Sequence, residues 1–497
     1  MNVRRVVIAL IIGVNLILSG IAHATPVFAV DMSCVAPAGD PAPGTPAWYQ
    51  RDAHNQYCAS LRNRDQLTNP AFGFANLTQG ASLWLDQATL QLSEPGHLHG
   101  GISTLIPGAL AADPFRTIVR WTDQGRGSVV PVKFTADDGA QLRGHIFLPP
   151  QTIPEPAGGY PGVVITDGSV QGYENLYFWA AEDLASHGYE VMTYDPQGQG
   201  DSDLLPAHCL FPSSGGQPSC PGVPFQQSYN FFQGAEDSLN YFLSTPAHPF
   251  SGSFNPDFAT LDHTRVAIAG HSLGAAAVSA VGQCDNRVKT IVAWDDLGAI
   301  TPADCNTVNI PAADRTSGPL IHTPALALTN DYVFETTPAS SPPDPHAKDD
   351  GYRQLVGAGV DSEIVAFRGA THLTYTYIPL VFQASELNER MASYYTLAWL
   401  DYKLRGLASG FTRLTARQFD DSADTDSIGA GVWDPAKVDP RDPYSGNVPY
   451  KIAGISVGNA VSFYYLSAYA LHNPGGASVI CADMRRDNCQ LPASGTP

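Results

Sequence analysis

Basic residues are scarce in this chain. Its 497 residues include 27 Lys and Arg against 47 Asp and Glu, a formal net charge of −20. The few cationic side chains are scattered, so there is no positive footprint for a nucleic-acid backbone. Charge of either sign is sparse, at 15% of the chain. Beyond the N-terminus no run is long and apolar enough to span a bilayer, which takes about 20 residues. There is no Cys-x-x-Cys pair, which weakens a zinc reading of the eight cysteines. No internal repeat is visible. Apolar residues, by contrast, are plentiful, at 44% hydrophobic and 10% aromatic. That is ample for a core and excludes a mostly disordered chain. At roughly 100–200 residues per domain, the length fits two or three domains, or one large domain with extensions.

The N-terminus reads as an export signal. Arg4 and Arg5 precede an apolar stretch, Val6 to Ile21, and Ala22-His23-Ala24 fits a small-x-small cleavage site. Val27-Phe28-Ala29 offers a second cut. An uncleaved anchor is the competing reading, but the run is short and interrupted by Gly13, Asn15, Ser19 and Gly20. The expectation is a secreted, extracellular protein after cleavage near Ala24. Cysteines in an exported chain read as disulfides. They fall into four local pairs, Cys34/Cys58, Cys209/Cys220, Cys284/Cys305 and Cys481/Cys489.

Residues 35–48 are rich in Pro and Gly and read as a linker. Residues 49–115 show mixed helical and loop character without a clear period. Then Val129–Phe134 and Leu142–Leu148 flank Asp137-Asp138-Gly139, a hairpin signal. Short apolar runs follow at Gly162–Thr166, Tyr189–Tyr194, Arg265–Ala269, Val288–Trp294, Ala325–Leu328 and Glu363–Phe367. Helical patterns lie between or after them, at Asn175–His187, Phe231–Leu243, Leu273–Val281 and Leu387–Leu404. Strands alternating with helices predict a largely parallel sheet covered on both faces.

One motif carries chemistry. Gly270-His271-Ser272-Leu273-Gly274 is a G-x-S-x-G sequence between the strand RVAIA and a helix beginning LGAAAVS. Such a turn lifts a serine hydroxyl above the sheet edge. A hydroxyl needs a base to take its proton, and the base needs an orienting acid. In a site of this type the chain order is serine, acid, histidine. His372, in the loop after the strand SEIVAF, is the expected base. Asp331, after the strand PALAL, is the expected acid, with Asp295 or Asp296 after TIVAW as its rival. His271 reads as a packing residue, because neighbours on a turn point apart. An oxyanion needs two backbone donors. The expected donors are the Leu273 N–H and the Ser169 N–H, with Gly168 as the turn residue.

The sequence resembles the α/β-hydrolase superfamily. The likeness rests on GHSLG, on the Thr166-Asp167-Gly168-Ser169 loop, and on Tyr194–Ser202, which is similar to that family's D-x-x-G-x-G-x-S turn. It looks most like secreted bacterial esterases, with some likeness to dienelactone-hydrolase and cutinase-like polyester hydrolases. One departure is Asp167, where many members have His. The resemblance implies an α/β fold with a mostly parallel eight-stranded sheet and helices on both faces. It covers about residues 116–404, the expected catalytic domain; with the export signal at 1–24, this leaves an N-terminal extension at 25–115 and a C-terminal extension at 405–497.

Three further motifs read as decoys. His97-Leu98-His99-Gly100-Gly101 precedes the core, whereas an oxyanion HGG motif follows the third strand. Asp420–Asp426 lacks calcium-loop spacing. Asn76-Leu77-Thr78 is a glycosylation sequon only in a eukaryotic secretory host. The expected activity is hydrolysis of a small-molecule or polymeric carboxylic ester through an acyl-enzyme on Ser272. No metal or organic cofactor, nucleic acid or stable membrane insertion is expected. An acyltransferase with the same triad, or a binding protein on a hydrolase scaffold, is the alternative.

Overall fold

The computed structural model describes residues 34, 39–62, 69–100, 112–169, 172–210, 228–376, 384–420, 431–442, 444–449, 452–486 and 489. The expected signal peptide, residues 421–426 and Cys220 lie outside the described residues. Val35–Pro497 forms one compact unit.

Ten strands make one sheet among the described residues, in the order β1-β2-β4-β3-β5-β6-β7-β8-β11-β12. The leading hairpin pairs β1 (Ser128–Thr135) with β2 (Gln141–Leu148) in antiparallel register. Its turn carries Gly139 at φ +93°, a left-handed conformation that glycine adopts without strain. β2 runs antiparallel to β4 (Glu190–Asp195). The strands β4, β3 (Tyr160–Thr166), β5 (Leu261–His271), β6 (Val288–Trp294), β7 (Ala325–Tyr332) and β8 (Ser362–Thr371) are parallel. β3, β4, β7 and β8 are buried at every position. That is why they read as continuous apolar runs: a parallel sheet hides both faces.

Alternation along β6 shows the two layers. Ile291 and Ala293 join the core beneath α4 (Ser228–Phe242) and α5 (Leu273–Cys284). On the opposite face Trp294 donates to Thr396 Oγ1 of α7 (Glu386–Lys403), and Trp399 of α7 donates to Thr290. α3 (Phe178–Ser186) lies on this second face, and α6 (Asp350–Gly357) leads into β8. One disulfide, Cys284–Cys305, ties the end of α5 to the segment after β6.

The sheet has ten strands where eight were expected. The extra pair comes from the C-terminal segment. β11 (Ala468–His472) lies antiparallel on β8, with Ala468 opposite Ile364, and β12 (Ser478–Cys481) closes the edge. An uncovered β8 would present unpaired backbone groups, and β11 satisfies them. Cys481–Cys489 fastens this end. A separate ribbon pairs β9 (Gly431–Trp433) with β10 (Asn447–Pro449).

The N-terminal segment is helical, with α1 (Pro46–Arg62) and α2 (Pro70–Ser93). Asn69 caps α2 by accepting from the N–H groups of Ala71 and Phe72, with Pro70 in the first turn. Trp48 of α1, 3% exposed, packs with Tyr332 from the end of β7 and Tyr464 from the C-terminal segment. Both terminal segments therefore pack on the sheet itself. Asn76 of the sequon is buried in α2.

Candidate active site

The strand order reverses around β3, whose neighbours are β4 and β5, and ligands of open α/β sheets bind at such a switch point beyond the strands' carboxyl ends. The loops that carry the sequence-expected residues converge there. Ser272 follows β5 and opens α5 with φ +56° and ψ −118°, a strained conformation for a non-glycine residue. Both glycines of the motif are required by crowding. A Cβ on Gly270 would come within 2.5 Å of Gly274 O, and one on Gly274 would run into the carbonyl oxygens of Thr166 and Asp167. The turn is thus wedged against the loop after β3.

His372 begins a short 3-10 turn after β8, held by a reciprocal capping box between Thr371 and Thr374. Its backbone N–H donates to Val333 O at 2.8 Å. Its Nε2 lies 2.9 Å from Ser272 Oγ, and its Nδ1 lies 2.5 Å from Asp295 Oδ2. The hydroxyl, imidazole and carboxylate form one hydrogen-bonded chain, with the histidine side chain about one-fifth exposed. A base within reach and an acid behind it is the arrangement that activates a serine hydroxyl.

The carboxylate at this histidine is Asp295, at the end of β6, and not Asp331. Asp331 Oδ2 accepts instead from Asn55 Nδ2 at 3.0 Å and from the Gly369 N–H at 2.7 Å. Asn55 belongs to α1, also donates to Tyr332 Oη, and accepts from Arg368 Nε. Tyr332 in turn meets Tyr464, which donates to Asp52 of α1. Asp331 is therefore the centre of a buried polar network that joins α1 and the C-terminal segment to β7 and β8. Burial raises its pKa, opposed by Ser462, Gly369, Asn55 and Arg368. Asp296, the other rival, is exposed.

Asp295 is held ionised. Burial alone would raise its pKa, but the Lys348 ammonium and the His372 and Thr329 hydrogen bonds outweigh that and place it below the usual carboxylate range. Thr329 Oγ1 donates to Asp295 Oδ1 at 2.7 Å, and Lys348 Nζ lies 3.7 Å from the same oxygen. Lys348 is anchored by Asn330, whose backbone and side-chain oxygens accept from it.

Leu273 is the first residue of α5, so its N–H lies at the positive end of that helix. Ser169 lies at the bend after β3, next to Gly168, whose added Cβ would approach Ser272 Cβ to 3.2 Å. The Gly168 N–H is already committed to Tyr177 Oη at 2.8 Å, which leaves the Ser169 N–H as the next donor of the loop. Asp167 is fully buried. Burial, with Asp195 and Glu174 nearby, pushes its carboxyl well above the usual range.

His271 does more than fill space, and the sequence reading missed it. Its Nδ1 lies 2.9 Å from Tyr177 Oη and its Nε2 lies 2.9 Å from the carbonyl oxygen of His372. The only sequence signal was its place beside Ser272. The other motifs are structural. His97 pairs with Asp203, and His99 with the Asp201 carbonyl. In the 195–202 turn, Asp195 accepts from the N–H groups of Glu174 and Asp201. Three buried carboxylates, Asp113, Glu386 and Glu389, offer oxygens within 4.8 Å of one another, and the buried Arg116 interacts with all three. That cluster adjoins the start of α7 rather than the serine.

No protein-family model matches the chain. A curated relative, the thiohydrolase apmlB of Arthrinium phaeospermum, is 28% identical over 162 residues, which is 33% of this chain and 41% of that protein. The match thus spans less than half of either protein. The likeness supports a hydrolase in general, on a fold that is α/β with a large, mostly parallel sheet. No helix of the described residues is long and apolar enough to cross a membrane. The disulfides are compatible with an oxidising, extracellular setting.

Proposed function

We propose that the protein is a secreted serine hydrolase of the α/β-hydrolase type that cleaves carboxylic esters. The observation that carries the reading is the chain Ser272–His372–Asp295, with links of 2.9 Å and 2.5 Å. Ser272 Oγ attacks the ester carbonyl as His372 Nε2 takes its proton. The charge on Asp295 stabilises the imidazolium and holds the tautomer that leaves Nε2 free to accept. The N–H groups of Leu273 and Ser169 receive the oxyanion, where each donor is worth about 10²–10³ in rate. The tetrahedral intermediate collapses, and His372 delivers the proton to the leaving alcohol. Water then attacks the acyl-enzyme, gives its proton to His372, and the acid leaves as Ser272 is reprotonated.

The residues beside the imidazole favour an apolar ester. Val333 and Phe334 are 61% and 49% exposed, and the Phe334 ring centroid lies 6.2 Å from that of His372. The relative's name favours a second reading, a thioester as substrate. The same chain of groups serves a thiol leaving group, which needs less help from His372 as an acid.

Organophosphonate labelling tests the reading. Wild-type protein is expected to be labelled once, at Ser272, and to hydrolyse p-nitrophenyl esters. Full labelling of Ser272→Ala, or none of the wild type, overturns it. Matched oxygen and sulfur esters of one acid then decide between the two substrates by kcat/KM.

A further inference from the structure

We infer that Tyr177 and His271 are positioning residues that lock the oxyanion loop to the backbone of the base. The inference rests on the ester-hydrolase reading above. Tyr177 lies in the 3-10 turn Glu174–Tyr177 that leads into α3, whereas His271 is the last residue of β5. Their bonds form one line: Gly168 N–H to Tyr177 Oη at 2.8 Å, Tyr177 Oη to His271 Nδ1 at 2.9 Å, and His271 Nε2 to His372 O at 2.9 Å.

The direction of every bond follows from its ends. A backbone N–H only donates and a carbonyl only accepts. The His372 carbonyl accepts a hydrogen bond from His271 Nε2, so the Nδ1 of the neutral ring accepts from Tyr177 Oη, which in turn accepts from Gly168. Only neutral imidazole fits this line, because a protonated Nδ1 would leave the tyrosine proton without an acceptor. The surroundings agree: His271 is 2% exposed, and burial, with His372 beside it, holds its pKa well below the usual histidine value.

The line joins two loops that must keep register to within a fraction of an ångström. Gly168 sets where the Ser169 N–H points, and the backbone of His372 sets where its ring meets Ser272. Ring contacts add support, because Tyr177 stacks on Trp294 with centroids 6.3 Å apart, and the His271 and His372 rings meet at a tilt, 4.6 Å apart. Gly168 must also be glycine for this geometry, since a Cβ would sit 2.8 Å from His271 Nδ1 and 3.1 Å from Tyr177 Oη.

The test is a double-mutant cycle in the full-length protein with Tyr177→Phe and His271→Asn. Tyr177→Phe keeps the ring and removes the oxygen. The expected result is a fall in kcat of about 10- to 100-fold with KM little changed, since a misplacement of about 1 Å costs up to about 10²-fold. The double variant should lose no more than the worse single one, because both changes cut one line. Wild-type kcat in folded Tyr177→Phe, or losses that multiply in the double variant, would overturn the inference. A second measurement is independent of turnover. In ¹⁵N-histidine spectra, His271 should be the neutral Nε2–H tautomer in wild-type protein and should change in Tyr177→Phe. An Nδ1–H tautomer overturns the inference even where no ester is hydrolysed. Failure of serine labelling in the wild type counts against the ester-hydrolase reading alone.

Discussion

Replacing Asp295 by Asn separates the acid seen in the structure from the one expected by chain order. The two oxygens of Asp295 are not equivalent. Oδ1 accepts from Thr329 Oγ1 at 2.7 Å and faces the Lys348 ammonium at 3.7 Å, whereas Oδ2 meets His372 Nδ1. An asparagine must keep its carbonyl oxygen toward Thr329 and Lys348, which both present donors. Its NH₂ is then forced onto His372 Nδ1. The imidazole responds by moving its proton to Nε2, where it faces Ser272 and takes nothing from it. The expected loss is about 10⁴-fold in kcat, the scale known for a buried triad aspartate turned to asparagine. At about 1.36 kcal/mol per tenfold, that is about 5.4 kcal/mol of transition-state stabilisation. Asp331→Asn is the matched control. Its carbonyl oxygen can keep the bonds from Asn55 and Gly369, so kcat should stay near wild type. Initial rates on p-nitrophenyl butyrate, normalised to active sites by burst titration, measure both variants. A folded, inactive Asp331→Asn beside an active Asp295→Asn would refute the assignment.

Three further outcomes are expected. Gly274→Ala places a methyl group against the carbonyls of Thr166 and Asp167, so it should cost about 1–3 kcal/mol in urea unfolding and most of the activity; unchanged kcat would mean the elbow is looser than the structure has it. Asn55→Ala withdraws a donor from Asp331 and an acceptor from Arg368, both buried, and should cost about 1–3 kcal/mol of stability in all while leaving kcat unchanged; chemical denaturation and the ester assay check the two halves. Glu190 is fully buried, and burial pushes its carboxyl up to about 8 despite the bonds from Thr260 and Asn255. Between about pH 4 and 8 the unfolded chain has lost this proton while the folded one keeps it, so stability falls as pH rises through that window. Glu190→Gln should flatten this part of the profile of unfolding midpoint against pH, and an unaltered slope would count against a protonated Glu190.

The elements that were legible in the sequence are those with local causes. Central strands such as Gly162–Thr166, and β6 from Ile291 to Trp294, are hidden on both faces, so burial wrote itself as an apolar run. The serine turn was legible because its glycines answer steric demands a few residues away. The C-terminal strands were not. β11 and β12 have five and four residues, too short for a period, and they form only because β8 offers an edge. α1 was not legible either. Trp48, Cys58 and Ala59 are buried, but so are the polar Arg51, Asp52, Asn55 and Arg62, which blurs the apolar stripe.

The acid fails for the same reason in sharper form. Asp295 and Asp331 both end strands, and both lie between Ser272 and His372 in the chain, so chain order satisfies either. What separates them is occupancy of their oxygens by distant residues. Asn55, 276 positions before Asp331, donates to it, and so does the Gly369 N–H. Thr329 and Lys348 meanwhile gather around Asp295 and keep it charged. The segment that seemed a mere extension thus has a share in the site. By engaging Asp331, α1 leaves the imidazole to the aspartate one strand closer to the nucleophile. The boundary between core and extension is therefore a boundary in the sequence only. A chain cut at residue 116 would remove Asn55 from both Asp331 and Arg368. It would also remove Trp48 and Ala59 from beneath Tyr332 and Tyr464, and Asp52 from the Tyr464 hydroxyl, so the truncated protein is expected to lose activity through loss of stability rather than to run as a minimal enzyme.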